Sequence, residues 1–162
     1  MIKFYFILVS MLLFFCSCEE MKDYQEYKPL KISGWDLNDT LKFQFDVTDI
    51  KPKYDLYLNV RHRDAFEFQN FYIKIFTKMP DGTQKVDIVS MYLSEEDGTW
   101  KGLCSGDVCM YSTLIFSRFR FEQTGTYQIL IKHEMRQNKL KNLLDLGLKL
   151  EKAPALVKQE AE

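Results

Sequence analysis

From Leu41 onward the chain alternates apolar and polar side chains in short runs. Leu41, Phe43, Phe45 and Val47 are separated by Lys42, Gln44 and Asp46, the period-two pattern of a strand with one buried face. Tyr54, Leu56, Leu58 and Val60 repeat it against Asp55, Tyr57 and Asn59, and Phe71, Ile73 and Ile75 repeat it against Tyr72, Lys74 and Phe76. Further strands are predicted over 86–93, 113–121, 126–133 and 146–151. Turn chemistry falls between them at Pro80-Asp81-Gly82, at Glu95-Glu96-Asp97-Gly98 and at Gln123-Thr124-Gly125, where Pro fixes φ and Gly admits φ > 0. One stretch, 134–144, is compatible with a helix: Met135, Leu140, Leu143 and Leu144 are loosely spaced at helical intervals and predict one or two turns. Short strands at near-regular spacing with a single short helix define an all-β chain, an antiparallel β-sandwich of immunoglobulin-like or jelly-roll-like kind.

The first residues follow a different rule. Met1-Ile2-Lys3 is a short basic start, and the run from Phe4 to Phe15 is apolar except for Ser10. That length is short for a membrane span and suits the apolar part of an export signal. Ser17-Cys18-Glu19-Glu20 resembles a bacterial lipoprotein cleavage box, with cleavage before Cys18 and lipid on its thiol. The expected organisation is a signal peptide over 1–17, a lipid-anchored tether over 18–33, a sandwich over 34–151 and a disordered tail over 152–162. An ordinary signal peptide cut near Ser17 is the competing reading. With lipidation, the membrane partner is reached through the anchor, because several acyl chains hold stably where one is marginal.

Composition narrows the chemistry. The 162 residues hold 22 Lys+Arg against 23 Asp+Glu, a formal charge of −1, so nothing favours nucleic acid as a partner. Aromatic residues reach 15%, with 13 Phe and 9 Tyr, which suits pleated, half-buried surfaces. In an exported chain Cys104 and Cys109 are candidates for a disulfide closing a very short loop, with two free thiols as the alternative. Neither His62 nor His133 stands at a metal-ligand spacing from them, so no metal or other cofactor is expected. Gly102-Leu103-Cys104-Ser105-Gly106 matches a cysteine form of the nucleophile elbow, but a strand rather than a helix is predicted to follow it. Acidic residues at Asp81, Asp87 and 95–97 read as solvated turn groups or a loose calcium loop without EF-hand spacing. His62, between two arginines, reads as an exposed strand end, and Arg118 and Arg120 as one exposed face alternating with Phe119 and Phe121. No catalytic residues and no small-molecule substrate emerge, so the chain reads as a non-enzyme. Tyr57, Tyr72, Phe76 and Tyr92, with Arg118 and Arg120, are the candidate interaction surface.

A set of ordered motifs carries a family resemblance. It begins at Trp35, Phe43 and Asp49 and runs through 54–61 and Asn70-Phe71-Tyr72-Ile73. Pro80-Asp81-Gly82, Asp87, the segment 98–102, Gly106 and the segment from Phe121 to Tyr127 continue it. Its most specific piece is Glu134-Met135-Arg136, followed by Leu140 and by Asp145-Leu146-Gly147-Leu148. Over residues 30–151 the chain resembles the gliding motility lipoprotein GldH family of Bacteroidota, with Cys104 and Cys109 departing from the pattern. The resemblance implies an outer-membrane lipoprotein that docks on other envelope proteins of the gliding and type IX secretion apparatus, on the periplasmic face or at the cell surface. It brings no catalytic residue and no cofactor. A lipid-anchored sandwich binding glycan or peptide at the cell surface is the alternative reading.

Overall fold

The computed structural model describes residues 23–154. The expected signal peptide, Cys18 and residues 155–162 of the expected tail lie outside that range. Eleven strands are present: β1 (Tyr24–Pro29), β2 (Trp35–Asp36), β3 (Leu41–Val47), β4 (Tyr54–Arg63), β5 (Asn70–Lys78), β6 (Gln84–Tyr92), β7 (Leu103–Ser105), β8 (Val108–Phe119), β9 (Gly125–His133), β10 (Lys139–Leu140) and β11 (Leu143–Lys152). Two sheets form the sandwich, ordered β1-β11-β4-β8-β7 and β3-β9-β5-β6, and β2 with β10 makes a small ribbon. All pairings are antiparallel.

Alternation builds the core. Leu56, Leu58 and Val60 of β4 join Leu146, Leu148 and Leu150 of β11 on the inner face of the first sheet. Phe43 and Phe45, Ile73 and Ile75, and Ile129 and Ile131 supply the facing layer. Two aromatic clusters close the ends, which accounts for the aromatic content. At one pole Tyr54, Phe119, Phe121 and Tyr127 interlock, with Phe119 and Phe121 ring centroids 5.1 Å apart and Phe121 and Tyr127 4.7 Å apart. At the other, Trp100 stands edge-on to His62 at 4.6 Å and Trp35 edge-on to His133 at 5.2 Å. Edge-to-face pairs of this kind add to plain area burial.

Four expectations are corrected. The described residues contain no helix: Leu140 belongs to β10, where it pairs with Trp35, and Leu143 opens β11. Helical spacing over so few apolar residues is ambiguous, and pairing with Trp35 and His62 decides against it. Part of the predicted tether is a strand, since β1 pairs with β11 from Tyr24↔Leu150 to Pro29↔Asp145. Its inward positions are Tyr24, Glu26 and Lys28, whose ionic and phenolic contacts with one another hide a sheet margin inside a polar-looking segment. His62 is fully buried, not exposed, because it falls on the inner side of β4 in phase with Val60. Arg118 and Arg120 do not share a regular strand face: β8 ends at Phe119, and its last turn is bulged.

Candidate functional site

Two bulges disturb β8 against β4. Tyr54 pairs with Phe119, Leu56 with Phe116 and Tyr57 with Leu114, so β8 carries an extra residue in each interval. The distortion centres on Arg118, which has φ 49°, a left-handed conformation that costs energy in a non-glycine residue. Buried Asp55 compensates, its Oδ1 accepting the Arg118 backbone N–H at 2.6 Å, while Arg118 Nη1 donates to the Pro154 carbonyl at 2.6 Å. Bulges re-aim side chains and break strand pairing. Beside them a cleft of about 340 Å³, lined in part by Phe116 and Phe119, lies between β8 and β6. Phe45, Leu56, Ile129 and Tyr127 form its floor; Lys85, Asp87, Arg120 and Glu122 stand among the groups around it. Lys85 Nζ lies 3.4 Å from Asp87 Oδ1 and 5.7 Å from the Phe116 ring centroid, so it spans the gap between the sheets.

The predicted surface residues divide among three places. Tyr72 and Phe76 project from the outer face of β5, beside Tyr92 and the aliphatic Val86 and Ile88 of β6. Ile88 is 61% exposed and Tyr92 60%. These are high values for large apolar groups on a strand whose second edge is unpaired. Tyr57 lies on the opposite sheet, with Lys149 Nζ 5.3 Å from its ring centroid; burial and the neighbouring Glu151 and Asp55 carboxylates raise its phenol pKa. Arg118 is committed to the bulge, and Arg120 lines the cleft. The structure thus joins Tyr72, Phe76 and Tyr92 and separates Tyr57, Arg118 and Arg120 from them. Val86 and Ile88 complete this face, and the signal for them in the sequence is their alternation with inward Asp87 and Val89.

The chemistry-bearing groups elsewhere are used locally. A disulfide joins Cys104 and Cys109, directly opposite each other across the β7–β8 hairpin with Cα atoms 4.0 Å apart, so neither sulfur is a nucleophile. Asp81 and Asp97 cap their own turns through Thr83 and Thr99, and those hydrogen bonds lower both carboxyl pKa values. Burial pushes the imidazoles of His62 and His133 down from their ordinary value. Among the described residues no group of three His, Cys, Asp or Glu side chains is placed to hold a metal.

The motif residues Asn59, Arg61, Asp145 and Gly147 meet on the outer face of the first sheet, where Arg61 pairs with Asp145 and Asn59 with Gly147 across β4 and β11. Arg61 Nε donates to Asp145 Oδ2 at 2.7 Å, and Asn59 and Asp145 are both buried although they face outward. The Tyr27 ring lies against Gly147 so closely that a Cβ there would sit 2.5 Å from it. Absence of a side chain at 147 is what lets the ring lie over the strand there.

Fold and surfaces together define an all-β sandwich module with an exposed apolar strand face, an edge strand unpaired among the described residues and an apolar cleft. Residues 22–150 match the model of the GldH lipoprotein family. The chain belongs to that family. It is 26% identical over 155 residues to the gliding motility lipoprotein GldH homolog of Christiangramia forsetii, covering 91% of this chain and 94% of that one. It is also 26% identical over 152 residues to the gliding motility lipoprotein GldH of Flavobacterium johnsoniae, covering 90% and 92%. Among solved structures, an infectious bursal disease virus structure aligns with 80% of this chain and 30% of its own, at a TM-score of 0.30 and 13% identity. Similarity that low carries no argument.

Proposed function

We propose that this lipoprotein is a non-enzymatic component of the gliding motility and type IX secretion machinery, anchored in the outer membrane through acylated Cys18 and working by docking other envelope proteins. The observation that carries the reading is the outer face of β5–β6: Tyr72 and Phe76 on β5, and Val86, Ile88 and Tyr92 on β6, whose second edge is unpaired among the described residues. A regular, exposed, apolar edge is an aggregation hazard that proteins cover or blunt. β6 carries the inward charges Lys85 and Asp87 in its first half, but its stretch from Ile88 to Tyr92 has no charge, no Pro and no bulge, and a partner covers it there by side-chain contact or by strand addition. Family membership and the relatives' gliding motility names support gliding as the process. The patch mixes aromatic with aliphatic side chains, which favours a protein partner over a glycan platform of coplanar rings.

A photo-crosslinking side chain at position 88, expressed in the native host, tests the surface. Adducts to gliding or secretion components from position 88, and none from position 114 on the opposite sheet, are expected. Adducts from both positions, or from neither, would reject this face as the docking site.

A further inference from the structure

We propose that the cleft between β6 and β8 takes an acyl chain of a bilayer phospholipid, with the headgroup held at its charged mouth. The inference rests on anchoring at Cys18 and otherwise goes beyond the docking role.

Position is the first argument. Because β1 begins at Tyr24, only six peptide steps separate it from Cys18, a contour of at most about 22 Å. The sandwich therefore cannot stand far from the bilayer. The row Tyr24–Leu150–Leu56–Phe116 crosses the first sheet at one level, and three strand spacings make about 14 Å. The cleft thus opens at the same level as the point where the chain arrives from the membrane. Its floor reaches that point too, since the Tyr24 and Phe45 ring centroids are 5.1 Å apart.

Chemistry is the second argument. An apolar interior of about 340 Å³ with a few polar groups around it has the make-up of a small-ligand site. The mouth carries both signs: Lys85 and Arg120 suit a phosphate, and Asp87 and Glu122 suit an ammonium group. A zwitterionic phospholipid complements all four. The protein's own lipid does not, because a glyceryl thioether has no charge for them to meet. A peptide strand is disfavoured along the β8 side of the cleft, since the two bulges and the left-handed Arg118 break the ladder that it would extend.

The test uses the full acylated lipoprotein reconstituted into vesicles containing phosphatidylethanolamine with a diazirine in its acyl chain. Illumination should place adducts on residues 115–121 and on Met79. Ser117→Trp, which fills the mouth from an exposed position, should lower them at least fivefold, whereas Ser112→Trp should leave them unchanged, with both variants melting like the parent. Absent adducts, adducts insensitive to Ser117→Trp, or a co-purifying peptide that blocks labelling would overturn the proposal. Equal labelling by a photoreactive diacylglycerol without a headgroup would overturn the phospholipid assignment. Should the mass of the N-terminal peptide show no lipid on Cys18, the anchoring reading fails by itself, and labelling in mixed phospholipid micelles then decides the cleft separately.

Discussion

Gly147 and the two histidines show how single positions set the sandwich. A methyl group at 147 has to displace the Tyr27 ring, which lies over Gly147. Gly147→Ala is therefore expected to cost about 1–2 kcal/mol in denaturant unfolding, and much less when Tyr27 is already Ala, since the clash is then gone. His62 and His133 are held neutral by burial, with folded pKa values below the unfolded value of about 6.5. The unfolded chain binds protons first as pH falls, so their contribution is complete above about pH 6.5 and is lost as pH drops toward the folded values. The melting temperature should decline between pH 7 and pH 5, and the decline should be shallower in a variant with both histidines replaced by Gln. A flat profile in the parent would contradict the buried, neutral assignment.

At the scale of elements, legibility followed the strength of alternation. β3, β5 and β9 announce themselves because every second residue is large and apolar, and all three are central or well covered. β1 was hidden because its inward positions are Tyr24, Glu26 and Lys28, polar groups tolerated at a sheet margin where they bind one another. The 134–144 stretch misled for the opposite reason: its few leucines sit at helical spacing by coincidence, while Leu140 and Leu143 are buried by two different strand pairings. The bulge in β8 left no trace in the sequence, since it depends on Asp55, 63 positions away, accepting the Arg118 N–H. The β7–β8 hairpin is peripheral, with Leu103 77% exposed. Replacing Cys104 and Cys109 by Ser should remove about 2 kcal/mol at most, the value for so short a loop. Hydrogen exchange should rise in 103–110 and stay unchanged in β4 and β11; loss of protection in those two strands would show that the hairpin supports the core.

For the whole molecule, the two sheets have different tasks. The first carries the N-terminal strand β1 and a polar outer face built around Arg61 and Asp145; the second turns an apolar face outward at β5–β6, with an edge unpaired among the described residues. The cleft lies where they part. Half of the predicted interaction residues fell on one face because Tyr72 and Phe76 share a strand parity and β6 pairs beside them with Tyr92 on the same side. Tyr57 fell elsewhere because sheet assignment, unlike parity, is a long-range property. Charge at the face should abolish docking and spare the fold: Ile88→Glu with Tyr92→Glu should melt within a few degrees of the parent, both positions being solvent-exposed.

The most direct test of the account is affinity capture of the acylated protein from gently solubilised envelopes, comparing the parent with the Ile88→Glu, Tyr92→Glu variant by quantitative mass spectrometry. The account predicts that gliding or type IX secretion components accompany the parent and fall at least tenfold with the variant. Equal recovery of those components with both proteins, or their absence from both, would contradict docking through the β5–β6 face.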